Sequence, residues 1–178
     1  MLLMKKILCV VTSNNVKGAT GIPTGFWLSE LTHPLAKFAA AGISYDIASI
    51  KGGKPPIDGD SLDFNDAVNK KFWDDADFQR KLAKTIKIDD AKAENYDAIF
   101  FAGGHGVMWD FADKEATVQA TKIVPFLLET ALKNHGANHI AAENWSNHVE
   151  ADGRLVTGQN PASAAGVGDE IVKLLRRN

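Results

Sequence analysis

Ile7-Leu8-Cys9-Val10-Val11 is an unbroken apolar run behind two lysines. A strand wetted on one face alternates apolar and polar residues, so a run without alternation predicts a strand covered on both faces, as in a parallel sheet. After a Gly-, Asn- and Thr-rich loop (14–23), Trp27, Leu31, Leu35, Phe38 and Ala39 recur at helical spacing from Thr24 until Gly42 stops the pattern. Pro34 lies inside that helix and predicts a kink or restart near His33. Residues 43–50 read as a second strand and 51–60 as a loop. Residues 65–74 and 77–85 read as two polar surface helices pinned by Phe72, Trp73, Phe78 and Leu82. Tyr96 to Ala102 predicts a third strand, cut short by Gly103-Gly104-His105-Gly106. A helix-prone stretch, 113–134, is interrupted at Pro125, and 139–143 is a short strand candidate. Residues 149–156 carry an Asp152-Gly153 hairpin signal. Asn160 and Pro161 are a fitting cap and first residue for a last helix over 161–176.

Strands alternating with helices predict one three-layer α/β domain over 1–178, built on a mostly parallel sheet, with 51–95 as a surface cap. The 178 residues suit a single domain. Composition then narrows the function. Twenty Lys+Arg against 22 Asp+Glu leave a net charge of -2, with no basic run, which argues against nucleic acid as a partner. Cys9 is the single cysteine, so there is no internal disulfide framework, and a reducing compartment fits. The N-terminal apolar stretch lacks a signal-type cleavage site, and nothing approaches the roughly 20 apolar residues of a membrane span. The chain reads as cytoplasmic, with no membrane partner.

In open α/β sheets ligands bind beyond the carboxyl ends of the strands. Two loops qualify: the turn after Val11 that leads to Glu30, and the turn at Gly103 and Gly104. Consecutive glycines can present N–H groups to an oxyanion. Alone, the G-G-H-G sequence is explained more readily as a tight strand-to-helix turn, and it lacks the spacing of a dinucleotide fingerprint. Glu30, flanked by Phe26, Trp27 and Leu31, would be desolvated with a raised pKa; a solvated helix glutamate explains its position equally well. The five histidines (33, 105, 135, 139, 148) match no zinc spacing, so no metal is expected. Cys9, in mid-strand, has the setting of a small buried hydrophobe rather than a nucleophile.

Six stretches taken together carry a resemblance. They are Gly18-Ala-Thr-Gly21 with 24–34, Gly52-Gly53-Lys54-Pro55-Pro56-Ile57-Asp58, 101–110, Val124-Pro-Phe-Leu-Leu-Glu129, and 152–163. In this order they resemble the ThiJ/PfpI superfamily, the class I glutamine-amidotransferase-like fold, in its glyoxalase III and heat-shock chaperone branch. The resemblance implies a flavodoxin-like sandwich and cofactor-free conversion of a small aldehyde such as methylglyoxal to its hydroxy acid, or a related deglycase or hydrolase activity. It also implies a homodimer or larger homo-oligomer. By position, Glu30 matches the glutamate that hydrogen-bonds the nucleophilic cysteine, and Gly103 and Gly104 match the oxyanion turn.

One departure bears on activity. Relatives follow the G-G-H-G helix with a strand and an elbow reading Ala-Val-Cys-His-Gly-Pro-Ala, which carries the nucleophile. Here residues 110–113 pass through 114–116 directly into 121–126, so the junction falls near 113–117. The family pattern places that strand centrally, and its loss would leave two strand edges unpaired. At about 1–3 kcal/mol per buried unsatisfied group, this rivals the roughly 5–15 kcal/mol stability of a domain. Two readings stand: a true deletion with a rearranged or partner-completed sheet, or a molecule longer than the printed sequence. An intact mass of 19.2 kDa would support the first. The chain as written is expected to lack glyoxalase activity; the alternative is a non-enzymatic stress chaperone or an oligomerising remnant.

Overall fold

The computed structural model describes residues 5–111 and 128–177. Strand β1 (Lys6–Val11) is central and almost wholly buried, as its unbroken apolar run predicts. It pairs in parallel with β2 (Ser44–Ser49) on one side and β4 (Ala98–Phe101) on the other. A two-residue β3 (Ile86–Lys87) extends the far side, giving the order β3-β2-β1-β4. Too short for any periodicity to register, β3 falls just past the predicted second cap helix. Among the described residues this sheet is parallel, flanked by helices, and of the flavodoxin-like α/β class.

Side chains of β1 alternate between two clusters of unequal size. Ile7, Cys9 and Val11 join the large core with Phe26, Leu31, Leu35 and Phe38, whereas Leu8 and Val10 meet a thinner layer of Ile50, Ile86, Tyr96 and Phe111. The large core is roofed by α1 (Leu28–Ala40) and α6 (Ala164–Arg177), with α2 (Ala67–Trp73) and α3 (Ala76–Ala83) at its margin. Phe72, Phe78 and Leu82 are buried there and tie the 51–95 stretch to the body.

Helix α1 departs from its sequence reading twice. It starts at Leu28 rather than Thr24, because Phe26 forms a parallel bridge with Ile57 that holds 24–26 extended. It also runs through Pro34 without interruption. Pro34 is buried, and Gly168 of α6 packs on its Cα so closely that a Cβ there would come within 2.9 Å. That packing offsets the hydrogen bond that proline withholds.

A short helix, α4 (Val107–Asp110), follows the glycine turn, and α5 (Leu128–Asn134) is the described end of the long helix-prone stretch. The Pro125 interruption and the junction near 113–117 lie outside the described residues. Residues 139–143 form no strand. A strand persists only in a ladder, and here the backbone groups of Ala142 and Glu143 bond the Gln159 side chain instead. The hairpin of β5 (Val149–Asp152) and β6 (Leu155–Gly158) forms with Gly153 and Arg154 at its turn. It stands as a separate two-stranded sheet. The Asn160 side chain accepts from the Ala162 N–H at 2.9 Å and caps a 3-10 turn, Pro161–Ser163, that leads into α6, so the α-helix itself begins three residues later than the sequence predicts.

Candidate active site

The loops at the carboxyl ends of β1 and β4 meet the start of α1. Thr12, at the end of β1, donates its hydroxyl to Asp110 at 2.7 Å, and the Ser13 N–H reaches the other oxygen of the same carboxylate at 2.7 Å. These bonds clamp α4 against the β1 loop. Between them the glycine turn is pressed onto the entry of α1: the Trp27 N–H donates to the Gly103 carbonyl at 3.0 Å, and the Gly106 N–H to the Gly25 carbonyl at 3.2 Å.

Gly103 and Gly104 are glycines for separate reasons. A Cβ at Gly103 would fall 2.1 Å from a Glu30 carboxylate oxygen. At Gly104 the backbone has φ +123°, and a Cβ would meet the Gly25 carbonyl and the Trp27 nitrogen at 2.6 Å. Only glycine satisfies both that φ and that closeness. The structure therefore brings together all three residues singled out in the sequence. Glu30, in the first turn of α1, lies directly over the turn, and burial pushes its carboxyl up to about 7 against the opposing pull of the Gly103 N–H. An acid near 7 can hold or release a proton at neutral pH.

Glu30 also faces a cavity of about 850 Å³ that β4, the hairpin and α6 enclose. Phe101, Leu155, Val167 and Ile171 make its walls largely apolar. No cysteine lines it. Cys9 is fully buried in β1, where burial, reinforced by the Asp46 charge, pushes its thiol far above the thiolate range. Among the described residues no cluster of three His, Cys, Asp or Glu side chains could hold a metal.

Sequence reasoning gave no role to Asp58. This carboxylate is buried at the site's rim, accepts from the Thr24 hydroxyl at 2.9 Å, and lies 3.5 Å from His105 Nδ1 and 3.9 Å from Lys17 Nζ. It thus gathers the β1 loop, the α1 entry, the cap and the glycine turn at one point. Nothing in local periodicity could show it, since its partners lie 34 to 47 residues away on either side.

The chain has relatives among known proteins. No family model matches the chain. The glutathione-independent glyoxalase HSP31 of Saccharomyces cerevisiae is 27% identical over 226 aligned positions, covering 90% of this chain and 93% of that protein. Rapid Encystment Protein 24 kDa of Francisella tularensis superposes with a TM-score of 0.88 at 32% identity, covering 97% of this chain and 99% of its own. A ThiJ/PfpI domain protein from Brachyspira murdochii shares the fold, with a TM-score of 0.61 at 17% identity. The parallel α/β fold of this chain is thus shared with a ThiJ/PfpI domain protein. By sequence its homologues are glutathione-independent glyoxalases of the HSP31 and glyoxalase 3 kind. With 178 residues set against 226 aligned positions, at least 48 positions hold a residue of the yeast protein and none of this chain.

Proposed function

We propose that this chain is a glyoxalase III-type scaffold, a single domain capped by residues 51–95, that keeps the proton-handling and oxyanion parts of the site without its nucleophile. The observation that carries this reading is the Glu30 carboxyl, held near neutrality against Gly103 and facing an apolar cavity. In the complete scheme a thiolate adds to the aldehyde carbon of methylglyoxal, Glu30 carries the proton, and the N–H groups of the Gly103–Gly104 turn receive the oxyanion. Methylglyoxal plus water gives lactate, so neither an external redox partner nor a cofactor is needed. Without the elbow cysteine the chain as written performs no turnover.

The experiment is methylglyoxal consumption by the 178-residue chain beside its Cys9→Ser variant. The expected result is no activity above buffer in either. Turnover abolished by Cys9→Ser would make Cys9 the nucleophile and overturn the reading.

A second reading, a non-enzymatic stress chaperone or an oligomerising remnant in the cytoplasm, is favoured by one observation. Ile99 and Phe101 of β4 are half exposed, 50% and 53%, on a strand that pairs only with β1 among the described residues. Open apolar strand edges recruit other strands, so the chain is expected to form a homodimer or larger homo-oligomer. Suppression of client aggregation, measured beside methylglyoxal turnover, separates the two readings.

A further inference from the structure

Three stretches of backbone meet at the entry of α1, with residues 24–27 in the middle. On one side lies the cap segment 56–58. The Phe26 N–H donates to the Pro56 carbonyl at 3.2 Å, and the Asp58 N–H to the Phe26 carbonyl at 3.0 Å. On the other side lies the glycine turn, bonded from Trp27 to Gly103 and from Gly106 to Gly25. Both contacts are backbone against backbone. A Cβ at Gly25 would overlap the Pro56 carbonyl, and one at Gly104 would meet the Phe26 Cα at 2.8 Å. Trp27 directly precedes α1, and its carbonyl accepts from the Glu30 N–H at 3.1 Å. Slippage of 24–27 against the turn therefore moves Glu30 relative to Gly103.

The Asp58 side chain joins all three stretches. Its Oδ2 accepts from the Thr24 hydroxyl at 2.9 Å and lies 3.5 Å from Nδ1 of His105, the residue directly after the glycine pair. Its Oδ1 accepts from the Asp60 N–H at 3.2 Å, while its carbonyl accepts from the Ser61 N–H at 3.0 Å and the Ser61 hydroxyl at 2.6 Å. The carboxylate is thus anchored from its own segment and reaches out to the other two. A buried carboxylate is costly unless it is paired and hydrogen-bonded, and the partners of Asp58 lie on the turn and on the stretch that leads into Glu30.

We infer that Asp58 is a positioning residue: by bridging Thr24 and His105 it holds the Gly103–Gly104 turn closed on the Glu30 carboxyl. The inference rests on the proton-handling role proposed for Glu30 and names the residue that sustains it. Burial raises the Glu30 carboxyl and the Gly103 N–H opposes this, burial being the larger influence. Water admitted by a loosened turn therefore weakens proton binding at Glu30. Other ionisable groups stand nearby. Lys17 and His105 face Asp58, and Asp60 follows it in the same turn. Around Glu30 are His33, one turn along α1 and bonded to Asp66, and Asp97, Arg154 and Arg177 of the cavity wall. The measurement must therefore read the Glu30 proton alone.

The test follows the Glu30 side-chain carboxyl carbon by NMR in the whole chain, the signal being assigned by its loss in Glu30→Gln. Asp58→Asn removes the charge and keeps one acceptor oxygen; Asp58→Ala removes the charge and every side-chain contact. The expected result is a midpoint near 7 in the unaltered chain, proton affinity weakened roughly tenfold or more in Asp58→Ala, and a smaller loss in Asp58→Asn. Equal losses in the two variants would show that the charge acts by itself and overturn the inference. An unchanged or raised midpoint in Asp58→Ala, even with stability lowered, would make Asp58 structural only and overturn it too. If circular dichroism shows Asp58→Ala unfolded, Thr24→Val takes its place, since it deletes the hydroxyl bond and keeps every charge; an unmoved Glu30 there overturns the inference. A midpoint near roughly 4.3 in the unaltered chain would remove the reading of Glu30 and this inference with it, whereas a midpoint near 7 that no variant moves removes this inference alone.

Discussion

The stretch 5–111 and the stretch 128–162 both carry large apolar residues and end differently. In the first, β1 and α1 place Ile7, Val10, Leu28, Leu31 and Phe38 at zero exposure; in the second, Leu128, Ile140, Trp145 and Leu155 are all at least half exposed. Apolar content, 48 of 107 residues against 13 of 35, separates them only in part. What separates them further is a second layer. Helix α1 closes on α6 through Gly168 and Pro34, and the sheet lies beneath, so each apolar side chain there meets others. In the arm and hairpin only a few side chains, such as Val149 and Val156, pack against the core. An apolar residue contributes to stability only through the surface that something else covers.

The largest effect that could break this comparison is a cavity in the covered region. Phe38→Ala should cost about 3–5 kcal/mol, whereas Leu155→Ala in the hairpin should cost under about 0.5 kcal/mol. Urea midpoints of both variants check the contrast. A Leu155→Ala cost approaching that of Phe38→Ala would show that the hairpin is covered in solution, and its dependence on protein concentration would identify a second copy as the cover.

The next effect concerns charge. Glu30 in the covered region titrates at about 7, while the exposed Glu129 of α5 is held below the ordinary carboxylate range by Lys133. An unfolded glutamate titrates near 4.3, so between about 4.5 and 7 the folded chain binds the extra proton. Stability therefore falls as pH rises through that window and levels off above it. The total is on the order of 3 kcal/mol. Glu30→Gln should remove this fall and raise stability at pH 8, read from urea midpoints at pH 5 and pH 8. Parallel profiles for wild type and variant would mean that Glu30 is solvated.

The smallest effect sharpens the site itself. Gly103→Ala sets a methyl against the Glu30 carboxylate, and displacing either group should cost roughly 1–3 kcal/mol. The same variant should flatten the pH dependence, because Glu30 leaves its desolvated position. A variant as stable as wild type with an unchanged pH profile would detach Glu30 from the turn.

Local pattern determined much of this protein. The unbroken run at β1, the spacing of α1, the Gly42 stop, the hairpin and the Asn160–Pro161 start of the last helix all follow from residues within one or two turns of each other, where propensity and periodicity act. Glu30 and the double glycine were legible as candidates for the same reason, but not as a pair. Their meeting depends on β4 lying beside β1, a pairing of residues 91 positions apart such as Ile7 with Ala98. The later start of α1, the tolerance of Pro34, the two-residue β3, the gathering role of Asp58 and the failure of 139–143 to become a strand were decided only in the tertiary structure. In each case the deciding partner lies far along the chain, as with Ile57 for Phe26 and Gly168 for Pro34, or, for 139–143, no ladder partner is present among the described residues. Long-range contacts carry no local period, so only the folded chain reveals them.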